Sequence, residues 1–133
     1  MRVLVLGGDG YLGWPTAMHF SARGDDVAVV DNFAKRRWEM EEGIEPLVPI
    51  PPLHKRVRAW QRVSGREIKL HVGDLQNHRF VYKVLREFHP DAVVHYGEQP
   101  SAPYSMQNRA TAIDTQVNNI VGTMNLLFGM RSH

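Results

Sequence analysis

"LVLGGDGYLGW", residues 4–14, decides the fold. An apolar run stops at Gly7, and four glycines, Gly7, Gly8, Gly10 and Gly13, fall within seven positions. Val3 to Leu6 is short and wholly apolar, which suits a central parallel strand buried on both faces. Residues of about 12 to 23 then read as a helix carrying Trp14, Ala17, Met18 and Phe20, with Pro15 at a tolerated early position and Gly24 as its stop. Glycines spaced Gly7-x-x-Gly10-x-x-Gly13 between such a strand and helix permit a tight turn, close approach of a pyrophosphate and close packing of the helix. Free amides at the helix start then face the phosphate charge. A glycine triad alone also fits a simple tight turn, so its context decides.

That context continues at Val27 to Val30, a second apolar run ending at Asp31. The carboxylate arrives about 20 residues after the glycines, where the dinucleotide fingerprint expects an acceptor for both ribose hydroxyls. It would repel a 2′-phosphate. Arg36 and Arg37 follow, and arginines there can hold the 2′-phosphate of NADP; with Asp31 present the reading favours NAD. The arginines then form a solvated charge run or touch the adenosine diphosphate. Ile68 to Val72 is a third strand leading into Gly73-Asp74. Asp74 could accept a hydrogen bond from the adenine amino group or cap a helix beginning near Gln76, and the two roles can coexist.

Val81, Val84, Leu85 and Phe88 recur at helical spacing, and "HPDAVVHYG" supplies a fourth strand. Residues of about 108 to 130 read as the last helix, with Ile113, Val117, Ile120, Val121, Met124, Leu127 and Phe128 on one broad face. Between the second and third strands, residues 34–66 form an insert. "AKRRWEMEEG" is charged, "PLVPIPP" holds four of the eight prolines, and "LHKRVRAWQRV" is an amphipathic basic helix candidate. The insert reads as a connection rather than a domain. Strands alternating with helices predict an α/β fold, a Rossmann-type doubly wound parallel sheet that is incomplete at its first four strands. Residues 1–133 are then one NAD-binding domain, in its N-terminal part.

Composition agrees and excludes other classes. At 133 residues and 43% hydrophobic, the chain can build one core. A formal charge of +2 is too mild to indicate a nucleic-acid or membrane partner. The basic stretches from Lys35 to Arg37 and from Lys55 to Arg62 read as solvated faces. There is no cysteine, hence no disulfide framework or thiolate metal site, and no apolar run nears the roughly 20 residues that span a bilayer. The chain reads as soluble and cytoplasmic. Its seven histidines show no paired helical spacing, so His95 with Glu98 is not read as a metal site.

"HYGEQPSAPYSM", residues 95–106, follows the fourth strand, and ligands lie at the ends of strands in such sheets. Nicotinamide and substrate are expected to meet there, with Gly97 on the cofactor and Gln99, Ser101 and Tyr104 on the substrate. Asn118 and Asn119 lie on a mostly apolar helix, where a buried amide needs partners. Asn119, counted with the cofactor residues, could bridge to that loop or be a capped, half-exposed amide.

Together "GGDGYLGW", "VVDN", "VGDL", "VVHYGEQPSAPYSM" and "TQVNNIVGTMNLL" resemble the UDP-sulfoquinovose synthase group of the extended short-chain dehydrogenase/reductase family, also described as NAD-dependent epimerases/dehydratases. The resemblance covers essentially the whole chain but only about the first third of a typical member. It implies an enzyme that binds NAD and UDP-glucose, oxidises the sugar transiently at carbon 4, eliminates water across carbons 5 and 6, adds sulfite and returns the hydride. By the same resemblance Gly7, Asp9, Gly10, Tyr11, Leu12 and Gly13 meet the pyrophosphate, and Asp31, Asn32 and Arg36 surround the adenosine ribose. Asp74 and Leu75 lie at the adenine, and Gln99 near the sugar.

Two departures stand out. Members of the plant and cyanobacterial type usually carry arginine where this chain has Pro100, a natural holder of sulfite or another anion. Its loss keeps another nucleotide-sugar epimerase or dehydratase in play, beside a non-catalytic NAD-binding module. Family catalysis also uses a Tyr-x-x-x-Lys pair as general base. Four residues after Tyr11, Tyr82, Tyr96 and Tyr104 stand Pro15, Arg86, Pro100 and Asn108. The chain is therefore expected to be an N-terminal fragment without catalytic residues. Its fourth-strand edge and the apolar face of its last helix are expected to be uncovered, which predicts self-association or marginal stability.

Overall fold

The computed structural model describes all residues, Met1–His133. Two compact units emerge: Met1–Val72 with Pro90–Tyr96, and Gly73–His89 with Gly97–His133.

The first unit contains β1 (Arg2–Leu6), α1 (Gly13–Arg23), β2 (Asp26–Asp31), α2 (Ala34–Glu41), α3 (Leu53–Ser64), β3 (Ile68–Val72) and, later in the chain, β4 (Ala92–His95). All strand pairs are parallel, in the order β3-β2-β1-β4. Val3 to Leu6 and Val27 to Val30 are at most 2% exposed. Strands buried on both faces have no reason to alternate polar and apolar residues, which accounts for the unbroken runs in the sequence. The order reverses beside β1, whose neighbours are β2 and β4, so the carboxyl ends of these strands form the switch point where open α/β sheets bind ligands.

Val3, Val5, Val27, Val29 and Ile68 form one core with Trp14 and Ala17 of α1 and Leu53 of α3. Gly24, at φ +99°, ends α1, and its amide donates to Ser21 O while that of Asp25 donates to Phe20 O. The insert is more than a connection. Leu53 is 1% exposed, Val57 and Trp60 pack on the core, and Trp60 Nε1 donates to the buried Ser21 Oγ at 2.9 Å. Burial of a leucine contributes about 2 kcal/mol, so α3 is a structural crossover helix between β2 and β3. Leu47 and Val48, in the proline-rich loop before it, are exposed.

The second unit contains α4 (His78–Phe88), α5 (Ala102–Ser105), α6 (Arg109–Gln116), a π-helical turn (Val117–Val121) and α7 (Gly122–Ser132). Asn77 caps α4, its side chain accepting from the amides of Arg79 and Phe80. Asp74 instead closes the turn before it, accepting from the Gln76 amide at 2.8 Å. The single last helix expected from the sequence is thus broken by the π turn, and its buried side differs from the apolar one. Thr115, Asn118, Gly122, Leu126 and Gly129 are buried, whereas the seven apolar residues of the expected face are 39–57% exposed. Close packing against α4 explains this, because a Cβ at Gly129 would stand 2.6 Å from Leu85 Cδ1 and 3.0 Å from Tyr82. The apolar face is uncovered, as anticipated, and β4 pairs only with β1. No helix is long and apolar enough to cross a membrane.

Candidate functional site

In the first unit, the chain leaving β1 turns at Gly7, whose φ of +85° is left-handed. The amides of Gly7 and Gly8 both donate to Val30 O, at 2.8 and 3.1 Å, which ties the loop to the end of β2. Gly10 N donates to Gly7 O at 3.1 Å. A Cβ at Gly13 would lie 1.8 Å from Gly7 O, so no other residue fits there. A Cβ at Gly10 would meet only Gly7 O, at 3.3 Å, and otherwise enter open space. The amides of Tyr11 and Leu12 make no backbone hydrogen bond, and α1 starts with neither a side-chain cap nor an acidic residue in its first turn. An uncapped helix start with free amides is an anion site by construction. The loop therefore fits a pyrophosphate.

Asp31 stands at the end of β2. Its Oδ2 accepts from the Asp9 amide at 2.9 Å and its Oδ1 from the Phe33 amide at 2.8 Å. Each oxygen retains a lone pair for a further donor. Burial pushes the Asp31 carboxyl above its ordinary value of 3.8, against the backbone amides of Asp9, Phe33 and Asn32, which pull it down. Asn32 Oδ1 accepts from the Ala34 amide at 3.0 Å, and between them Phe33 is held left-handed, at φ +59°. Such a conformation costs about 1 kcal/mol for a residue with a Cβ, and the two side chains that bracket it fix the entry to α2.

The carboxylate of Asp9, the residue that follows the first two glycines, is taken by two arginines. Arg36 binds it through both prongs, Nε to Oδ2 at 2.6 Å and Nη2 to Oδ1 at 2.8 Å. Arg56 donates to the same Oδ1, and to Asp9 O at 2.9 Å. Arg36 also donates to the carbonyls of Ile50 and Pro51, at 3.0 and 2.8 Å, which fastens the proline-rich loop. Asp9 holds Arg36 more firmly protonated than usual. The role of Arg56 escaped the sequence reading, which took its helix for a solvated face. The signal was present: Leu53, Arg56, Val57 and Trp60 share one side of α3, and the Arg56 guanidinium lies 5.1 Å from the Trp14 ring centroid. A cleft of about 400 Å³ opens beside this cluster, walled by Asp9, Lys35, Arg36, Ile44 and Ile50.

In the second unit, Asn119 grips the loop after β4 by both backbone polar groups of Gln99. Its Oδ1 accepts from the Gln99 amide at 2.8 Å and its Nδ2 donates to the Gln99 carbonyl at 3.0 Å. Asn118 Nδ2 donates to the same Oδ1 at 2.9 Å. Gln99 is buried, and its Oε1 accepts from the Ser101 amide at 2.8 Å. Ser101 Oγ caps α5 by accepting from the Tyr104 amide, and Tyr104 Oη donates to Asp114 at 3.2 Å. Leu75 is buried, and its carbonyl accepts from Asn125 Nδ2 at 2.8 Å. Gly97 opens this loop, directly after the first unit ends at Tyr96.

Known proteins resemble the chain along nearly its whole length. A profile of the NAD dependent epimerase/dehydratase family matches residues 3–133. The chloroplastic UDP-sulfoquinovose synthase of Spinacia oleracea is 48% identical over 130 residues, covering 98% of this chain and 27% of that protein. The UDP-sulfoquinovose synthase of Sulfolobus acidocaldarius is 41% identical over 127 residues, covering 96% of this chain and 32% of that one. The chain thus spans about a third or less of these relatives. Among solved structures, UDP-glucose 4-epimerase from Bifidobacterium longum, in complex with NAD+ and UDP, superposes at a TM-score of 0.78 with 25% identity, covering all of this chain and 34% of that one.

Proposed function

The chain belongs to the NAD dependent epimerase/dehydratase family, and from that premise we propose that it is the NAD-binding part of a nucleotide-sugar-modifying enzyme of the UDP-sulfoquinovose synthase kind, working in the cytoplasm. The observation that carries this reading is the uncapped start of α1, with the free amides of Tyr11 and Leu12, in the same unit as a half-buried Asp31 at the end of β2. NAD, when bound, supplies a hydride acceptor able to return the hydride within one turnover. The amides of Tyr11 and Leu12 hold the pyrophosphate, with Gly7, Gly10 and Gly13 keeping the loop open to it. Asp31 accepts the ribose hydroxyls, with Asn32 and Arg36 beside it. In the second unit the sequence and its family resemblance assign Asp74, Leu75, Gly97 and Asn119 to the cofactor and Gln99, Ser101 and Tyr104 to a nucleotide sugar such as UDP-glucose.

None of the four tyrosines is followed four residues later by lysine, so the 133 residues alone are expected to bind without turning over. Identity of 48% to a UDP-sulfoquinovose synthase favours UDP-glucose and sulfite as substrates. Pro100, in place of an anion-holding arginine, favours a sulfite-independent epimerase or dehydratase instead, and dependence of the complete enzyme on sulfite separates the two.

Calorimetric titration of the chain with NAD and NADP tests the cofactor reading. NAD is expected to bind in preference to NADP and to lose affinity when Asp31 is replaced by alanine. Ribose hydroxyls favour the ionised carboxylate, so affinity is expected to be level at neutral pH and to fall as acid protonates Asp31, at a pH above the ordinary 3.8 because burial raises its pKa. Absence of NAD binding at neutral pH would sink the reading. The exposed apolar residues Ile120, Leu127 and Phe128 also support self-association, and sedimentation is expected to give a mass above the 15.2 kDa monomer; a sharp monomer at all concentrations contradicts it.

A further inference from the structure

We propose that Asp9 is a specificity-determining residue, a second carboxylate beside Asp31 that excludes a 2′-phosphate by occupying the two arginines able to receive one. This rests on the reading of the loop as a dinucleotide site. The backbone of Asp9 is hydrogen-bonded to Asp31 Oδ2, so its side chain stands next to the acceptor for the ribose 2′-hydroxyl. That side chain is 7% exposed and takes both Arg36 and Arg56. Asp9, Asp31, Arg36 and Arg56 sum to zero charge, and an incoming phosphate finds two anions and no uncommitted guanidinium.

Without the Asp9 charge the balance inverts. Arg36 keeps the carbonyls of Ile50 and Pro51 as hydrogen-bond acceptors, with Glu39 and Asp31 as the nearby charges, and Arg56 already has a buried Nε with no acceptor. Arg36, on the wall of a cleft of about 400 Å³, and Arg56, which shares Asp9 with it, then form a forked receptor for a phosphate dianion. An asparagine at this position keeps the backbone bond to Asp31 and one side-chain acceptor while removing the charge.

The test is calorimetric titration of the chain with ADP-ribose and with 2′-phospho-ADP-ribose. Wild type is expected to prefer ADP-ribose. Asp9→Asn is expected to shift the ratio of the two affinities by about tenfold or more towards the phosphorylated probe, the worth of one charge-assisted contact. Adding Arg36→Gln and Arg56→Gln to that variant should abolish the shift. In the wild-type background the same two arginine changes should move the ratio further towards ADP-ribose and never towards the phosphorylated probe, because they leave Asp9 and Asp31 without their countercharges. An unchanged ratio in a folded Asp9→Asn variant overturns the proposal while leaving the site reading intact. If Asp9→Asn does not fold, Asp9→Ser, which also removes the charge, decides by the same ratio, and an unchanged ratio there overturns the proposal. Wild type that binds neither probe overturns the site reading and this inference together.

Discussion

Gly13→Ala is expected to destabilise the chain by about 3 kcal/mol or more, at the upper end of overpacking costs, whereas Gly10→Ala is expected to leave the fold standing and remove NAD binding. The first methyl would lie 1.8 Å from Gly7 O and 2.6 Å from Gly7 C, both backbone atoms with no rotamer to yield. Gly7 cannot retreat, because its amide and that of Gly8 are fastened to Val30 O. Relief requires moving α1, and with it Trp14 and Ala17, out of the core they share with β1 and β2. A marginally stable domain has only about 5–15 kcal/mol in hand. At Gly10 the methyl meets one atom at 3.3 Å and then open space, so stability changes by less than about 1 kcal/mol. In the function proposed above, that open space is where the pyrophosphate approaches. Urea midpoints followed by far-ultraviolet circular dichroism, paired with NAD titrations, separate the two effects. A wild-type midpoint for Gly13→Ala, or full NAD affinity for Gly10→Ala, contradicts the geometry.

The loop and the sheet were legible in the sequence because their causes are local. Doubly buried strands need continuous apolar runs, and a backbone that crosses itself at 1.8 Å from a missing Cβ needs glycine wherever it does so. The last helix was not legible for the opposite reason. Periodicity weighs apolar side chains, but close approach of α7 to α4 selects small ones, so Gly122 and Gly129 turn inward while Leu127 and Phe128 turn out. Charge runs mislead in the same way. Arg36 and Arg56 look solvated until the fold brings Asp9 to them across 27 and 47 residues. The π turn has no local signature beyond its two adjacent asparagines, whose need for partners was the one hint of their role.

Asn119→Ala is expected to release the loop after β4 and to cost about 3 kcal/mol, since it leaves the backbone N–H and C=O of Gln99 and the Asn118 amide without their present partner. The π turn makes this grip possible. An extra residue in the helical turn lets consecutive asparagines serve one side, Asn118 meeting Gln76 and Asn119 meeting Gln99. A variant that keeps half the grip distinguishes positioning from bulk. Asn119→Asp can still accept from the Gln99 amide, but when ionised it sets a carboxylate against the Gln99 carbonyl. It should therefore lose about half as much stability as the alanine variant near neutrality. In acid, where the new carboxyl is protonated and can donate, the difference from wild type should narrow, because the variant's folded state is then the better proton binder. Hydrogen exchange at Gln99 and Ser101 reads the loop directly. Faster exchange is expected in the alanine variant and partial protection in the aspartate variant. Wild-type exchange at Gln99 in Asn119→Ala would mean that the loop holds itself, through Gln99 Oε1 and Ser101 Oγ alone.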